Sequence, residues 1–366
     1  MLPRCEFRVG YSLIVRSKMI MQKRTLALSV ASIFAAASFG AMAEMPTFYG
    51  DLNISVADSD TGYTVQGTSN DKGTVLENNS SNIGIKGAHE INSALKLVYK
   101  AEFGVNGTDN DADTFSSRNT YLGLAGGFGE VVFGRNDTAF KGSEGGADAF
   151  GNLNADITMI LPGQDRVADG ITYTLPSMGL FSGKATYILE DDNNTNDIPG
   201  TDKVEEGDNF ALMVGYGDKT LKKAKFFVGA GYVDGIKGLT AYRITGQVKV
   251  GELALAAIYQ DSEKTADSSI DATGYTVSAK YPLGNFMLKA QYGFDDGGMG
   301  TFAKKANDDA TNAGTVEDVT NYTIGGDYTL SKAAYVYGHY AYYDASVKGA
   351  EDIDDSVFTV GLRYRF

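Results

Sequence analysis

Apolar and polar side chains alternate most plainly in the last eleven residues, 356–366. Phe358, Val360, Leu362, Tyr364 and Phe366 fall on one side of an extended chain, and Thr359, Gly361, Arg363 and Arg365 fall on the other. A period of two with one apolar and one wet face predicts a β-strand. In water, an uncovered aromatic strand at a terminus invites pairing with other chains. In lipid, the same strand closes a barrel against the first strand, and its apolar face meets the acyl chains.

The pattern recurs along the chain and predicts sixteen strands in all. The first eight span 47–57, 81–90, 95–103, 118–125, 129–135, 166–175, 183–190 and 209–216. The rest span 224–232, 242–250, 253–260, 274–281, 285–294, 321–330, 334–344 and 356–366. Most have the length, ~9–11 residues, of a tilted strand crossing a bilayer. Short connections (91–94, 126–128, 176–181, 251–252, 282–284, 331–333) alternate with long polar ones (57–80, 104–117, 191–208, 261–273, 295–320, 345–355). A β-sandwich has no reason to keep that alternation, whereas a bacterial outer-membrane barrel has short turns at one end and long loops at the other. The expected fold is therefore all-β, a transmembrane antiparallel β-barrel.

Composition sharpens this picture. With 45 Gly, 22 Tyr, 19 Phe and no Trp, the chain holds no apolar run after Phe39 long enough for a membrane helix. Near the start, Met21-Gln-Lys-Arg24 is followed by the apolar run 26–39 and by the small-residue site Ala41-Met42-Ala43. That order predicts a secretory signal peptide over 1–43, with 1–20 an upstream mis-start and 44–366 the barrel. The apolar run is too short, and too rich in Ala and Ser, to be an anchor. The only cysteine, Cys5, falls within the predicted leader.

The full chain carries a formal charge of −14, and residues 44–366 carry −19 once the six basic and one acidic residue of 1–43 are set aside. Such acidity excludes nucleic acid as a partner. Enzymatic chemistry finds little to work with. A lipase-like barrel needs a Ser–His pair with an orienting group, yet His89 lies by a short turn and His339 in a tyrosine-rich strand, with no Ser motif beside either. The same scarcity of His and Cys leaves no set of metal ligands, and no cofactor is expected.

Several short stretches, in this order, resemble the general diffusion porins of Gram-negative outer membranes. They are Phe48-Tyr-Gly-Asp51, Asn82-Ile-Gly-Ile-Lys-Gly87, Tyr121-Leu-Gly-Leu-Ala-Gly-Gly-Phe-Gly129, Val132-Phe-Gly-Arg-Asn136 and the terminal Tyr364-Arg-Phe366. The resemblance covers the whole of 44–366. It implies a sixteen-stranded homotrimeric barrel open to ions and small hydrophilic solutes, set in outer-membrane lipid and lipopolysaccharide. It also implies that the strand ending in Phe366 is read by the barrel-assembly machinery.

In that family the third extracellular loop folds inward and narrows the pore. Its counterpart is 136–165, which carries Glu144, Asp148, Asp156 and Asp165; the basic wall facing it is assigned to Lys86, Arg118, Arg135 and Arg166. Lys96 and Lys100 also lie on the wet face of their strand. Opposed charges at a narrow point produce a transverse field that favours polar solutes. Many relatives carry bases where this chain has Asp51 and Asn82, so a mild cation preference is expected. A sugar-selective channel and an adhesive barrel are the alternative readings.

Overall fold

The computed structural model describes residues 45–66, 72–108, 113–189, 209–309 and 314–366; the predicted leader, 1–43, and the whole of the connection 191–208 lie outside them. The strands are β1 (Thr47–Ser59), β2 (Gly73–Asn78), β3 (Asn82–Asn92), β4 (Leu95–Val105), β5 (Phe115–Gly126), β6 (Gly129–Asp137), β7 (Arg166–Thr174) and β8 (Phe181–Ile188). They continue with β9 (Phe210–Gly217), β10 (Phe226–Asp234), β11 (Leu239–Val250), β12 (Leu253–Lys264), β13 (Asp267–Leu283), β14 (Phe286–Asp295), β15 (Thr315–Thr329), β16 (Ala334–Lys348) and β17 (Ile353–Arg365).

Each strand pairs antiparallel with its neighbours, and β17 returns to β1 in the register Asp51↔Arg365 to Ser59↔Val357, closing the ring. The seventeen segments make sixteen staves. Both β2 and β3 pair with β1, through Ile54↔Asn78 to Ser59↔Gly73 and Thr47↔Lys86 to Asp51↔Asn82. Between them the chain is broken at Ser80, whose φ is 60°. The Asn53 amide turns to Ser81 Oγ (2.9 Å) there, so the break keeps its backbone polar groups bonded.

Lipid is the reason the outer face alternates as it does. On β17, Phe358, Val360, Leu362 and Tyr364 are exposed while Val357 and Thr359 are fully buried. The Phe366 amide donates to Gly50 O (3.1 Å) and its carbonyl accepts from the Gly50 amide (3.0 Å), so the last residue is stitched to β1. A Cβ on Gly50 would come within 2.3 Å of the Phe366 ring, so glycine there lets the aromatic ring lie flat over the seam.

All sixteen predicted strands are present, and β2 is an additional segment. Several of the predicted long connections are shorter than expected. β12 and β13 approach as close as Lys264 and Asp267, and β16 and β17 as Lys348 and Ile353. The outward positions of these extensions are polar, Glu263, Asp271, Lys348 and Asp354 among them, so the apolar two-residue period that marks the lipid-facing part is lost. The connection 295–320 contains an unexpected helix, Thr301–Asp308, with Phe302, Ala303 and Ala306 buried.

Candidate functional site: the polar face of the barrel

The longest described connection, between β6 and β7, is structured throughout. Thr138 caps the short helix Ala139–Gly142 by accepting from the Lys141 amide (3.2 Å). Asp156 caps the turn Ile157–Met159, accepting from the amides of Asn152 (2.6 Å) and Thr158 (2.9 Å). Asp148 likewise accepts from the Phe150 amide (2.9 Å). Two of the four predicted loop acids thus shape the loop itself, as short acceptors do at turns and caps.

This connection is bonded to polar faces far apart around the ring. Asn154 is fully buried. Its Nδ2 donates to Glu77 Oε1 (2.7 Å) and to Thr64 O (3.0 Å), its Oδ1 accepts from Thr359 Oγ1 (2.8 Å), and its carbonyl accepts from Tyr343 Oη (2.9 Å). Gln291 Nε2 donates to Ala155 O (2.7 Å). Lys280 Nζ donates to Gly146 O (3.0 Å) and Asp148 O (2.9 Å). Arg243, fully buried, donates to Gln260 Oε1 and, through Nη2, to Pro162 O (3.2 Å), while its guanidinium stacks 4.4 Å from the Phe140 ring centre. Apolar side chains reinforce the polar ones. Phe150, Leu153, Ile157, Met159, Ile160 and Leu161 form one buried cluster with Tyr343 and Phe302, and Phe150 lies 5.6 Å from His339.

Glu144 sits behind Gln164. With the Gln164 amide turned so that its nitrogen faces Glu144, that nitrogen donates to Oε2 (2.7 Å) while its oxygen accepts from Arg243 (2.7 and 2.8 Å). Burial pushes the Glu144 carboxyl up to about 7; Asp156 and Asp137 add to the shift, and Arg243 and Lys141 oppose it. Asp148 is also raised, by burial first and then by Asp156 and Glu144.

The predicted basic residues lie along one arc of strands: Lys86 on β3, Arg118 on β5, Arg135 on β6 and Arg166 on β7. Lys100 on β4 and Lys184 on β8 extend the arc. Carboxylates on the wall itself thread them together. Glu102 accepts from Arg118 Nε (2.8 Å), from Tyr49 Oη (2.8 Å) and from Lys100 Nζ (3.0 Å). Asp137 pairs with Arg166 (2.9 Å) and, more distantly, with Lys141 (3.8 Å). Lys86 Nζ lies 5.2 Å from the centre of the Tyr49 ring, so Tyr49 belongs to this arc. Arg135 Nη1 donates to Arg166 O (3.4 Å), and a register shift between Gly134 and Asn136 explains why its facing was unreadable from alternation.

Asp51 is not a free negative charge. Arg363 grips it with two bonds, Nε to Oδ1 (2.8 Å) and Nη2 to Oδ2 (2.6 Å), and Arg365 adds a third at 3.2 Å. Both arginines stood on the wet face of the terminal strand, but pattern alone gave no register to place them beside Asp51. Asn82 donates to Ser80 O (3.0 Å), within the break that separates β2 from β3.

A family model described as Gram-negative porin matches residues 27–365, and the chain belongs to that family. It is 26% identical to major outer membrane protein P.IB of Neisseria sicca, over 94% of this chain and all of that one. It is 25% identical to a monosaccharide porin of Halomonas sp, again over 94% of this chain and all of the other. Among solved structures, the trimer form of OmpT, an outer membrane protein of Vibrio cholerae, superposes with a TM-score of 0.62 at 20% identity, covering 89% of this chain and 100% of that one. An anion-selective porin from Comamonas acidovorans gives 0.60 at 19% identity, covering 88% and 99%. The protein is accordingly a porin of the outer membrane, and its relatives are channels, not enzymes.

Proposed function

We propose that the protein is a water-filled channel for passive diffusion of ions and small hydrophilic solutes, assembled as a homotrimer. In this reading the connection 138–165 is the third extracellular loop, folded inside the ring so that it narrows the pore. The carrying observation is that one connection bonds to the polar faces of β11, β13, β14, β16 and β17 at once. The trimer rests on the OmpT trimer form. Residues 1–43 act as the secretory leader, and lipopolysaccharide and the assembly machinery are the partners of the folded barrel and of its terminal strand respectively.

The finer reading is a mild cation preference. Its support is the charge of −19 over 44–366 and the loop acids, Asp156 and, once it ionises near neutral pH, Glu144. Asp51 contributes nothing to it, being held by Arg363 and Arg365. Carboxylates bonded to their own loop set the local field at the narrowing, whereas the basic arc from β3 to β8 shares its charge with Glu102 and Asp137.

Placing the loop inside the ring has a direct test. Cys5 lies in the predicted leader, so Asp148→Cys introduces a single thiol into the barrel. A bulky cationic methanethiosulfonate reagent should cut the conductance of this variant by about half or more, because charge and volume at a constriction dominate flux. Full labelling with unchanged current would remove the loop from the pore.

A further inference from the structure

Residues 218–225 join β9 to β10, and Asp218 holds the shape of the turn. Its carboxylate accepts from the amides of Thr220 (2.9 Å), Lys222 (2.9 Å) and Lys223 (2.6 Å) and from the Thr220 hydroxyl (2.7 Å). These four bonds hold the Asp218 carboxyl well below the usual carboxylate range. The one acid of the turn is therefore occupied, and Lys219 and Lys222 face a hollow of about 400 Å³.

The hollow is built from three directions. Its back is the polar face of β12 and β13, where Ala254, Ala256 and Ser278 are too short to fill the space. Lys249 of β11 and Lys280 of β13 flank it. Its roof is Gly146 of the 138–165 connection, where an added Cβ would come within 2.8 Å of Lys219 O; glycine there lets loop and turn meet. With the Gln247 amide turned accordingly, Gln247 bridges them, donating to Lys219 O (3.2 Å) and accepting from the Gly146 amide (2.5 Å).

Four lysines face this space against a single acid, Glu252, which is paired with Lys249 at 3.1 Å. Lys280 spends two donors on neutral carbonyls. In a chain of net charge −14 such a concentration of ammonium groups is not a by-product of composition. Ammonium groups on several sides suit a tetrahedral dianion with many acceptor oxygens. The volume falls in the range of small-molecule sites, ~300–1,000 Å³. Met287, Pro282 and Leu221 offer an apolar floor for the body of the solute.

We propose that this hollow, below the loop on the side of the short connections, binds small phosphate monoesters in transit. The proposal rests on the reading that 138–165 lies within the ring. The probe is glucose 6-phosphate, with glucose and inorganic phosphate as comparators, added to single channels in planar bilayers after the open step in KCl has been recorded. Glucose 6-phosphate should interrupt the current in a concentration-dependent way from the short-turn side, and glucose should not. Interruption by inorganic phosphate as well would assign recognition to the phosphoryl group alone.

The double substitution Lys219→Gln, Lys222→Gln should raise the half-blocking concentration about fivefold or more, since each exposed ammonium adds only a modest increment. Ala256→Leu, which fills the hollow and leaves every charge, should do the same. Equal block by glucose, or equal block in wild type and both variants, overturns the site. Open channels without interruption overturn it too and leave the diffusion channel standing. If no channel opens, calorimetric titration of the detergent-solubilised barrel with glucose 6-phosphate decides separately: heat lost in the double variant supports the site, and no heat in wild type overturns it.

Discussion

At the scale of single residues, the polar face is organised by carboxylates that are already engaged. Asp51, Glu102 and Asp137 each hold basic side chains of the wall, and Asp148 and Asp156 hold the loop's own backbone. Glu144 differs: it is half-buried, and desolvation pushes its carboxyl up to about 7. An acid raised in the folded state keeps its proton through the window between the ordinary Glu value, ~4.3, and that raised value. Packing around it therefore loses stability as pH climbs through this window, and the loop gains negative charge. The expected outcome is a K⁺-over-Cl⁻ permeability ratio that rises from pH 5 to 8.5 with a midpoint near 7. Glu144→Gln should flatten that rise. Reversal potentials in a KCl gradient measure it, and an unchanged step in the variant would assign the titration elsewhere.

At the scale of elements, the seam between β1 and β17 joins two strands more than three hundred positions apart in the chain. Nine residue pairs hold it, and the Phe366 ring over Gly50 finishes it. Gly50→Val places a side chain where that ring lies. Because the ring is the free end of a side chain, it should swing away at a cost of about 1–3 kcal/mol. Phe366→Ala loses the same packing, so the double variant should cost little more than either single one. Unfolding midpoints in urea, followed by the heat-modifiable gel shift, test this. Full additivity would mean that the two residues do not share the seam.

The strands were legible because lipid imposes apolar residues on every second position, as in 286–294, where Phe286 and Leu288 are exposed and Gln291 is buried. Legibility stopped where lipid stops. At the ends of β12, β13, β16 and β17 the outward positions, such as Glu263, Asp271, Lys348 and Asp354, are polar, and Gly73–Asn78 is too short for a period to declare itself. The helix Thr301–Asp308 left a faint trace, Phe302, Ala303 and Ala306 at helical spacing, inside an otherwise polar run. For the site, local sequence showed which residues face water, including Arg363, Arg365 and Lys289. It could not show that Arg363 meets Asp51 or that Asn154 meets Thr359, because those contacts depend on ring closure and on where a long connection folds.

At the scale of the whole molecule, an apolar outer face and a charged inner face are divided by a ring that leaves no strand unpaired at its seam. That division accounts for a membrane protein whose mean hydropathy is −0.18. It also separates the two roles of charge proposed above, carboxylates at the loop and ammonium groups in the hollow beneath it. Both depend on one central claim, that water and ions pass through the ring. Single-channel recording of the purified, heat-modifiable barrel in planar bilayers with KCl tests it most directly. Stable open steps, closing in groups of three and reversing toward the cation potential at pH 8, are the result expected of a trimeric diffusion channel. A folded barrel that stays electrically silent under the same conditions would contradict it.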